Sequence, residues 1–374
     1  MGHTIRLAAG TLTIEVRKTL FPLNDLLDFA SRINPKRGYL FVSKVLGKHI
    51  PCQPSRMRDI YNRLALPLLE IPGPAIFIGM AETATGLGAG VADSLVRKTQ
   101  RCDIVFQHTT RHSLPITEWV CFDESHSHAP EHILYPPLPV FRERFSQAQT
   151  LVLVDDEIST GRTLRELSYR MIQVLPHIRQ IVVVSIVNWL SPAQKQVFQT
   201  NVNKPVSFVS LLEGVFSFIP NVKYKPPPLP EKTKAFQSTA QACQQTGRRG
   251  IAIGDKKFRM PDGPYPKERK VSVVGTGEFQ FQPFLWAEQL EREGFDVLFQ
   301  STTRSPIRLG GPIGESLSFK DEYGGSIPTY LHNPPRGREV IIAYEFAELA
   351  RHHNLPEQLG GSIWGVATKT GSDC

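Results

Sequence analysis

At 374 residues with 41% hydrophobic content, the chain can bury a large core, and its length favours two domains over one. Five cysteines, Cys52, Cys102, Cys121, Cys243 and Cys374, stand without Cys-x-x-Cys spacing, which argues against a disulfide framework or a thiolate zinc site. The net charge of +8 is concentrated, since 12 Lys or Arg against 4 acids fall between Val222 and Lys270, a surplus equal to that of the whole chain.

The amino terminus lacks the basic, apolar, small-residue layout of a signal segment, and Arg6 breaks the myristoylation pattern that Met1-Gly2 opens. No run is long enough to span a membrane, so the expectation is a cytoplasmic protein without membrane partners. Along the chain, Ala75-Ile76-Phe77-Ile78 reads as a buried strand, followed by the loop Gly79-Met80-Ala81-Glu82-Thr83-Ala84-Thr85-Gly86-Leu87-Gly88 and a helix from Ala89 to Arg97. Strand, glycine-rich loop and helix can bind phosphate, although the same string alone most often makes a plain tight turn. Phe106-Gln107-His108-Thr109-Thr110-Arg111 then puts a guanidinium at a strand end, where Arg111 would clamp pyrophosphate or simply face solvent. In Phe122 to His132, His126 and His128 alternate; they suit a surface loop, a metal site or a loop closing over substrate.

The most informative run is Thr150 to Leu164. Leu151 to Val154 is a continuous apolar stretch, as in a parallel strand covered on both faces. Asp155 and Asp156 end it, with Glu157 beside them, and Ser159, Thr160, Gly161, Arg162 and Thr163 lead into a helix-patterned stretch from Leu164 to Gln173. Backbone N–H groups at such a turn, with hydroxyls and the positive end of a helix dipole, make an anion site. Ligands of open α/β sheets bind beyond the carboxyl ends of strands. Ile181 to Val187 reads as the next strand of the sheet.

Beyond it, Pro226-Pro227-Pro228-Leu229-Pro230 favours an extended spacer within the basic strip, either a solvated linker or a surface for RNA or another polyanion. The second half then echoes the first. Val271 to Glu278 answers Ile76 to Glu82, and Phe299-Gln300-Ser301-Thr302-Thr303-Arg304 answers Phe106 to Arg111. Asp321-Glu322 answers Asp123-Glu124, Pro334-Pro335 answers Pro136-Pro137, and Val340 to Glu345 answers Val152 to Asp156. Collinear matches of this kind suggest a degenerate duplication. In the copy the acid pair has become Tyr344-Glu345 and the Thr-Gly-x-Thr loop is gone, so the copy should lack the first half's chemistry. Thr302, Thr303, Arg304 and Ser305 could still hold an anion.

The string hydrophobic run, Asp-Asp, two residues, Thr-Gly-x-Thr resembles the fingerprint of type I phosphoribosyltransferases, including the orotate and adenine enzymes, which use 5-phosphoribosyl 1-pyrophosphate (PRPP). Glu157 departs from it, since an apolar residue is usual there. The resemblance implies that Asp155 and Asp156 hold the ribose hydroxyls as catalytic acids and that Ser159 to Thr163 cradle the 5-phosphate. Gly79, Met80, Ala81, Glu82 and Thr83 resemble the pyrophosphate loop, which often carries a non-proline cis peptide, expected here among Gly79, Met80 and Ala81. Asn34 to Lys44, Glu82 to Gly86, His126 to Ala129 and Gln300 to Ile307 further resemble the phosphoribosyltransferases of tellurium-resistance-associated bacterial gene clusters, with their carboxy-terminal Thr-Arg-Ser-Pro (TRSP) domain. That family implies a biosynthetic enzyme with a nucleoside-like product.

The expected architecture is an α/β type I phosphoribosyltransferase-like parallel sheet flanked by helices in residues 1–220, a Pro-rich basic linker in 221–240, and a second α/β domain in 241–374. The expected function is Mg²⁺-dependent phosphoribosyl transfer to or from an unidentified heterocyclic base. Mg²⁺ should be carried with PRPP, because it favours phosphate oxygens, a carboxylate and retained waters over a dedicated protein site. Competing readings are a non-catalytic regulator that senses PRPP or nucleotides and an RNA-associated module. A homodimer is compatible with either.

Overall fold

The computed structural model describes residues 2–32, 37–123, 131–225, 247–254, 264–324 and 327–366. The first half contains β1 (Gly2–Leu7), β2 (Gly10–Thr19), α1 (Leu23–Leu26), β3 (Leu27–Ser31), β4 (Tyr39–Ser43), α2 (Pro54–Ala65), β5 (Ala75–Gly79) and α3 (Ala84–Thr99). It continues with β6 (Ile104–His108), β7 (Val120–Asp123), β8 (Glu131–Leu134), α4 (Arg142–Ser146), β9 (Thr150–Ile158), α5 (Arg162–Val174), β10 (Gln180–Asn188), α6 (Pro192–Val202) and β11 (Val206–Pro220). The second half contains β12 (Ile251–Ala252), β13 (Lys270–Gly275), α7 (Phe281–Arg292), β14 (Asp296–Ser301), β15 (Ser316–Lys320), β16 (Pro328–His332), β17 (Glu339–Phe346), α8 (Leu355–Leu359) and β18 (Ser362–Val366).

The larger sheet has eight strands in the order β1-β2-β11-β10-β9-β5-β6-β12. Its central members β11, β10, β9, β5 and β6 are parallel, and the apolar runs of β10, β9, β5 and β6 are buried, as in a sheet covered on both faces. Antiparallel β2 takes over where β11 passes a bulge at Glu213/Gly214. Helix α5 shows the one-sided pattern of a surface helix, with Leu164, Leu167 and Met171 turned into the core. Helix α3 differs. It begins at Ala84, so the glycine-rich loop is shorter than expected, and every residue from Ala84 to Val96 is buried. Gly88 and Gly90 serve packing there, since a Cβ would lie 3.1 Å from the Gly79 Cα or 2.3 Å from the Tyr61 ring.

The smaller sheet is wholly parallel, in the order β14-β13-β17-β18. It reproduces β6-β5-β9-β10 strand for strand. β13, like β5, leads into a buried helix, and the β15–β16 hairpin falls between β14 and β17 as β7–β8 falls between β6 and β9. Even the bridge Thr110↔Ile133 has its counterpart, Thr303↔Tyr330. The strands leading to Glu278 and Tyr344 are thus parallel neighbours, placed as a duplication requires.

The halves are joined through α2, α3 and α7. Arg58 donates to Glu288 at 2.6 Å and pairs with Asp93 at 2.8 Å, while Ser55 donates to Glu291. Residues 247–254 lie beyond the expected linker yet pair with the first sheet, Ile251 facing Phe106 along β6. Arg248, counted with the basic strip in the sequence, is completely buried. Most of the strip, including the proline run, lies outside the described residues. Among the described residues no helix is long and apolar enough to cross a membrane.

Candidate active site

β9 outruns its neighbour β5, whose last pair is Gly79 with Val154, so Asp155 and Asp156 lie beyond the carboxyl end of β5 while β10 still pairs with β9, Ser185 facing Asp155 and Val187 facing Glu157. Both acids are half-buried, and the Asp156 amide donates to Asp155 Oδ1 at 3.0 Å. The turn that follows holds Ser159, Gly161 and Thr163 half-buried and Thr160 and Arg162 exposed. Gly161 takes φ +67° as the cap of α5, and the Arg162 amide points to Thr160 Oγ1 at 3.4 Å. A helix amino terminus of 13 residues therefore opens directly beside the acid pair, favourable to an anion.

Glu157 is tied down. Arg37 donates to both of its oxygens, at 2.7 and 2.9 Å, and stacks 4.8 Å above the Tyr39 ring. Burial still holds the Glu157 carboxyl above its ordinary pKa, against the opposing pull of Arg37. The third carboxylate thus arrives with its own counterion, and Arg37 belongs to the Asn34–Lys44 stretch flagged by resemblance.

On the adjacent strand, Met80 and Ala81 spend their amides inside the fold, on Val154 O at 2.9 Å and Thr109 Oγ1 at 2.9 Å. The non-proline cis bond is Ala81–Glu82, one residue beyond the expected span. The Glu82 carboxylate, expected at the ligand, turns instead toward the second half. It accepts from Thr303 Oγ1 at 3.2 Å and the Arg304 amide at 3.1 Å, with Lys48 Nζ at 3.5 Å. Arg111, three residues past β6, has its amide on Glu278 at 3.0 Å and its Nη2 3.1 Å from His132 Nε2.

The anion expected on Thr302, Thr303, Arg304 and Ser305 is corrected. Arg304 is directed to Asp321 at 2.5 Å and to Glu82 at 3.7 Å, so its charge is matched by carboxylates within the chain. Thr302 Oγ1 accepts from the Gly277 amide, and Thr303 Oγ1 accepts from the Ser305 amide. Below them, Arg248 pairs with Glu278 at 2.9 Å and Glu345 at 2.8 Å, and Tyr323 donates to Glu345 at 2.5 Å. Burial would raise the Glu278 carboxyl, but the Arg248 guanidinium holds it well below the usual carboxylate range. Lys48 and Gln280 went unnoticed in the sequence, and Arg248 entered only as a cation of the basic strip; the one available signal is the repeated Gly-Lys and Gly-Arg of 47–48 and 247–248. His126 and His128 lie outside the described residues.

A family model described as phosphoribosyl transferase matches residues 26–215, just over half of the chain. The chain belongs to this phosphoribosyl transferase family. A second model, the TRSP domain found carboxy-terminal to that transferase domain, matches residues 236–357. No curated protein matches the transferase significantly. Solved structures similar to it include adenine phosphoribosyl transferase from Trypanosoma brucei in complex with AMP, pyrophosphate and ribose-5-phosphate. That match has 15% identity and a TM-score of 0.35, covering 50% of this chain and 77% of that one. Giardia lamblia APRTase complexed with 9-deazaadenine gives 11% identity and 0.36, covering 53% and 98%. Orotate phosphoribosyltransferase from Francisella tularensis gives 13% and 0.30, covering 50% and 81%.

Proposed function

We propose that the transferase uses PRPP and Mg²⁺ to join a ribose 5-phosphate group to a nitrogen heterocycle, with the chemistry in the first half and none in the second. The observation that carries this reading is the half-buried Asp155–Asp156 pair, set between a hydroxyl-rich helix-opening turn and the Gly79–Thr83 loop of the adjacent strand. Ser159 to Thr163 would take the 5-phosphate on backbone amides and hydroxyls. Asp155 and Asp156 would accept the ribose hydroxyls. Glu82 and Thr83 would present their amides to the pyrophosphate, and Arg111 would face it from the neighbouring strand end.

A heterocycle nitrogen attacks C1 while the C1–O bond breaks and pyrophosphate leaves with the electron pair; the heterocycle gives up its N–H proton. Positive charge builds on the ribose during that exchange, as in glycoside cleavage. Two adjacent carboxylates near the sugar stabilise it. The acid pair also fits Mg²⁺, which takes one or two carboxylates together with phosphate oxygens and water. When bound, the ion would neutralise charge on the departing pyrophosphate.

The test incubates the full chain with PRPP, Mg²⁺ and a library of bases, with pyrophosphate release and product mass as readouts. A base-dependent nucleotide with stoichiometric pyrophosphate is expected. PRPP binding without turnover across the library would favour a sensor instead, and failure to bind PRPP would overturn the reading.

A further inference from the structure

The two halves clasp each other through matching contacts. Glu82, in the loop after β5, accepts from Thr303 Oγ1 and the Arg304 amide; Glu278, in the loop after β13, accepts from Thr110 Oγ1 at 2.7 Å and the Arg111 amide at 3.0 Å. Within each half the same loop is held from below, Ala81 N on Thr109 Oγ1 and Gly277 N on Thr302 Oγ1. Each half also lends the other a strap. The Ser301 amide donates to Gly47 O at 2.7 Å and Cys52 pairs with Phe299, while the His108 amide donates to Gly247 O at 3.0 Å and Ile251 pairs with Phe106. Gly47 and Gly247 both have positive φ, +61° and +85°, and a Cβ on either would meet Phe299 or His108 within 3 Å. The next residue in each strap is a buried cation. Lys48 reaches Glu82 and the Thr302 carbonyl; Arg248 reaches Glu278, and its own carbonyl accepts from Gln107.

This is the contact pattern of a two-fold dimer written into one chain, where residue i of one unit meets j of the other and j meets i. Only one unit keeps the Asp-Asp pair and phosphate turn. Gln280 links the two loops, donating to both Glu82 O and Gly277 O, at 2.9 Å each.

Resting on the phosphoribosyl-transfer reading, we propose that the second half is a built-in partner subunit, with Lys48, Gln280, Thr303 and Arg304 as positioning residues that hold the Gly79–Thr83 loop in its pyrophosphate-binding shape. The loop is gripped at Glu82 by side chain and carbonyl alike, the carbonyl also accepting from Thr85 Oγ1 at 3.1 Å, and Val154, Thr109 and the Ala84 amide hold Gly79 to Ala81. Loss of a grip on Glu82 would therefore slacken the pyrophosphate end and leave the 5-phosphate turn, on the next strand, intact.

Calorimetric titration of the full chain with pyrophosphate and, separately, ribose 5-phosphate tests this, each with Mg²⁺. The variants are Thr303→Val, Gln280→Met, the conservative Thr303→Ser, and Ser55→Ala, which removes an inter-half hydrogen bond far from the loop. Thr303→Val should weaken pyrophosphate about tenfold, the scale of a hydrogen bond to a charged group, and Gln280→Met about threefold, the scale of a hydrogen bond to a neutral carbonyl, while ribose 5-phosphate affinity stays unchanged. Thr303→Ser should restore pyrophosphate binding and Ser55→Ala should not affect it. Unchanged pyrophosphate affinity in folded Thr303→Val and Gln280→Met, or equal losses for both ligands, overturns the positioning role while leaving phosphoribosyl transfer standing. Wild-type chain that binds neither ligand overturns both.

Discussion

Asp155 and Asp156 are poor core elements, half-buried near the end of β9 with the Asp156 amide bonded to the Asp155 carboxylate, so their neutralisation should spare the fold. Asp155→Asn with Asp156→Asn is expected to lower turnover by at least about a hundredfold, the scale seen when a charge-stabilising group is lost, with the circular dichroism spectrum unchanged. Undiminished PRPP binding and turnover in the folded double variant would end the assignment. Glu322 supplies a different reading at single-residue scale. Burial, and then the neighbouring Asp321 charge, raise its carboxyl pKa. The folded chain consequently binds that proton more tightly than the unfolded chain does. Its contribution is complete below the ordinary carboxylate pKa and is lost as pH rises toward the raised folded value. The urea midpoint of the wild type should fall as pH rises through that window, and Glu322→Gln should flatten the fall. Parallel pH profiles for the two proteins would contradict this.

Among the elements, the short strap around Arg248 carries the most consequence per residue. A guanidinium with no exposed surface lies between Glu278 and Glu345, and removing it leaves two carboxylates buried without it. Arg248→Met should cost about 3–5 kcal/mol in urea unfolding; a loss under about 1 kcal/mol, typical of an exposed pair, would mean the carboxylates find other partners. The sequence had Arg248 among the cations of the basic strip, because charge counting cannot tell a solvated arginine from one whose partners stand 30 and 97 residues away. The acid-pair turn was legible for the opposite reason. Strand, acids, hydroxyls and helix are contiguous there, and local chemistry sets the geometry. β13, β14 and β17 were legible as echoes of the first half, whereas the turning of Glu82 away from the ligand depends on a neighbour outside its own domain. Helix α3 extended into the glycine-rich run for a similar reason, since its glycines answer to Gly79 and Tyr61 rather than to loop flexibility.

At the scale of the whole molecule, the two sheets share straps, buried ion pairs and the α2–α3–α7 contact, so neither half has a complete surface of its own. Calorimetric unfolding is expected to give one transition whose van't Hoff and calorimetric enthalpies agree. Two separable peaks would show that the halves fold as independent units, as loosely joined domains do. The net charge of +8 leaves such a molecule well away from self-association by neutrality, and its surplus equals that of the strip from Val222 to Lys270.

The strap of residues 247–252 also sets an order of events during synthesis. β6 is an open strand edge until that strap reaches it, and the strap follows the whole first half in the chain. A nascent first half emerging from the ribosome therefore presents an unpaired edge of apolar residues, the kind of surface that recruits other strands. Translation pauses or chaperone capture placed before residue 247 would act on a species with that edge bare, and yield on expression should be more sensitive to changes in the strap than its length suggests.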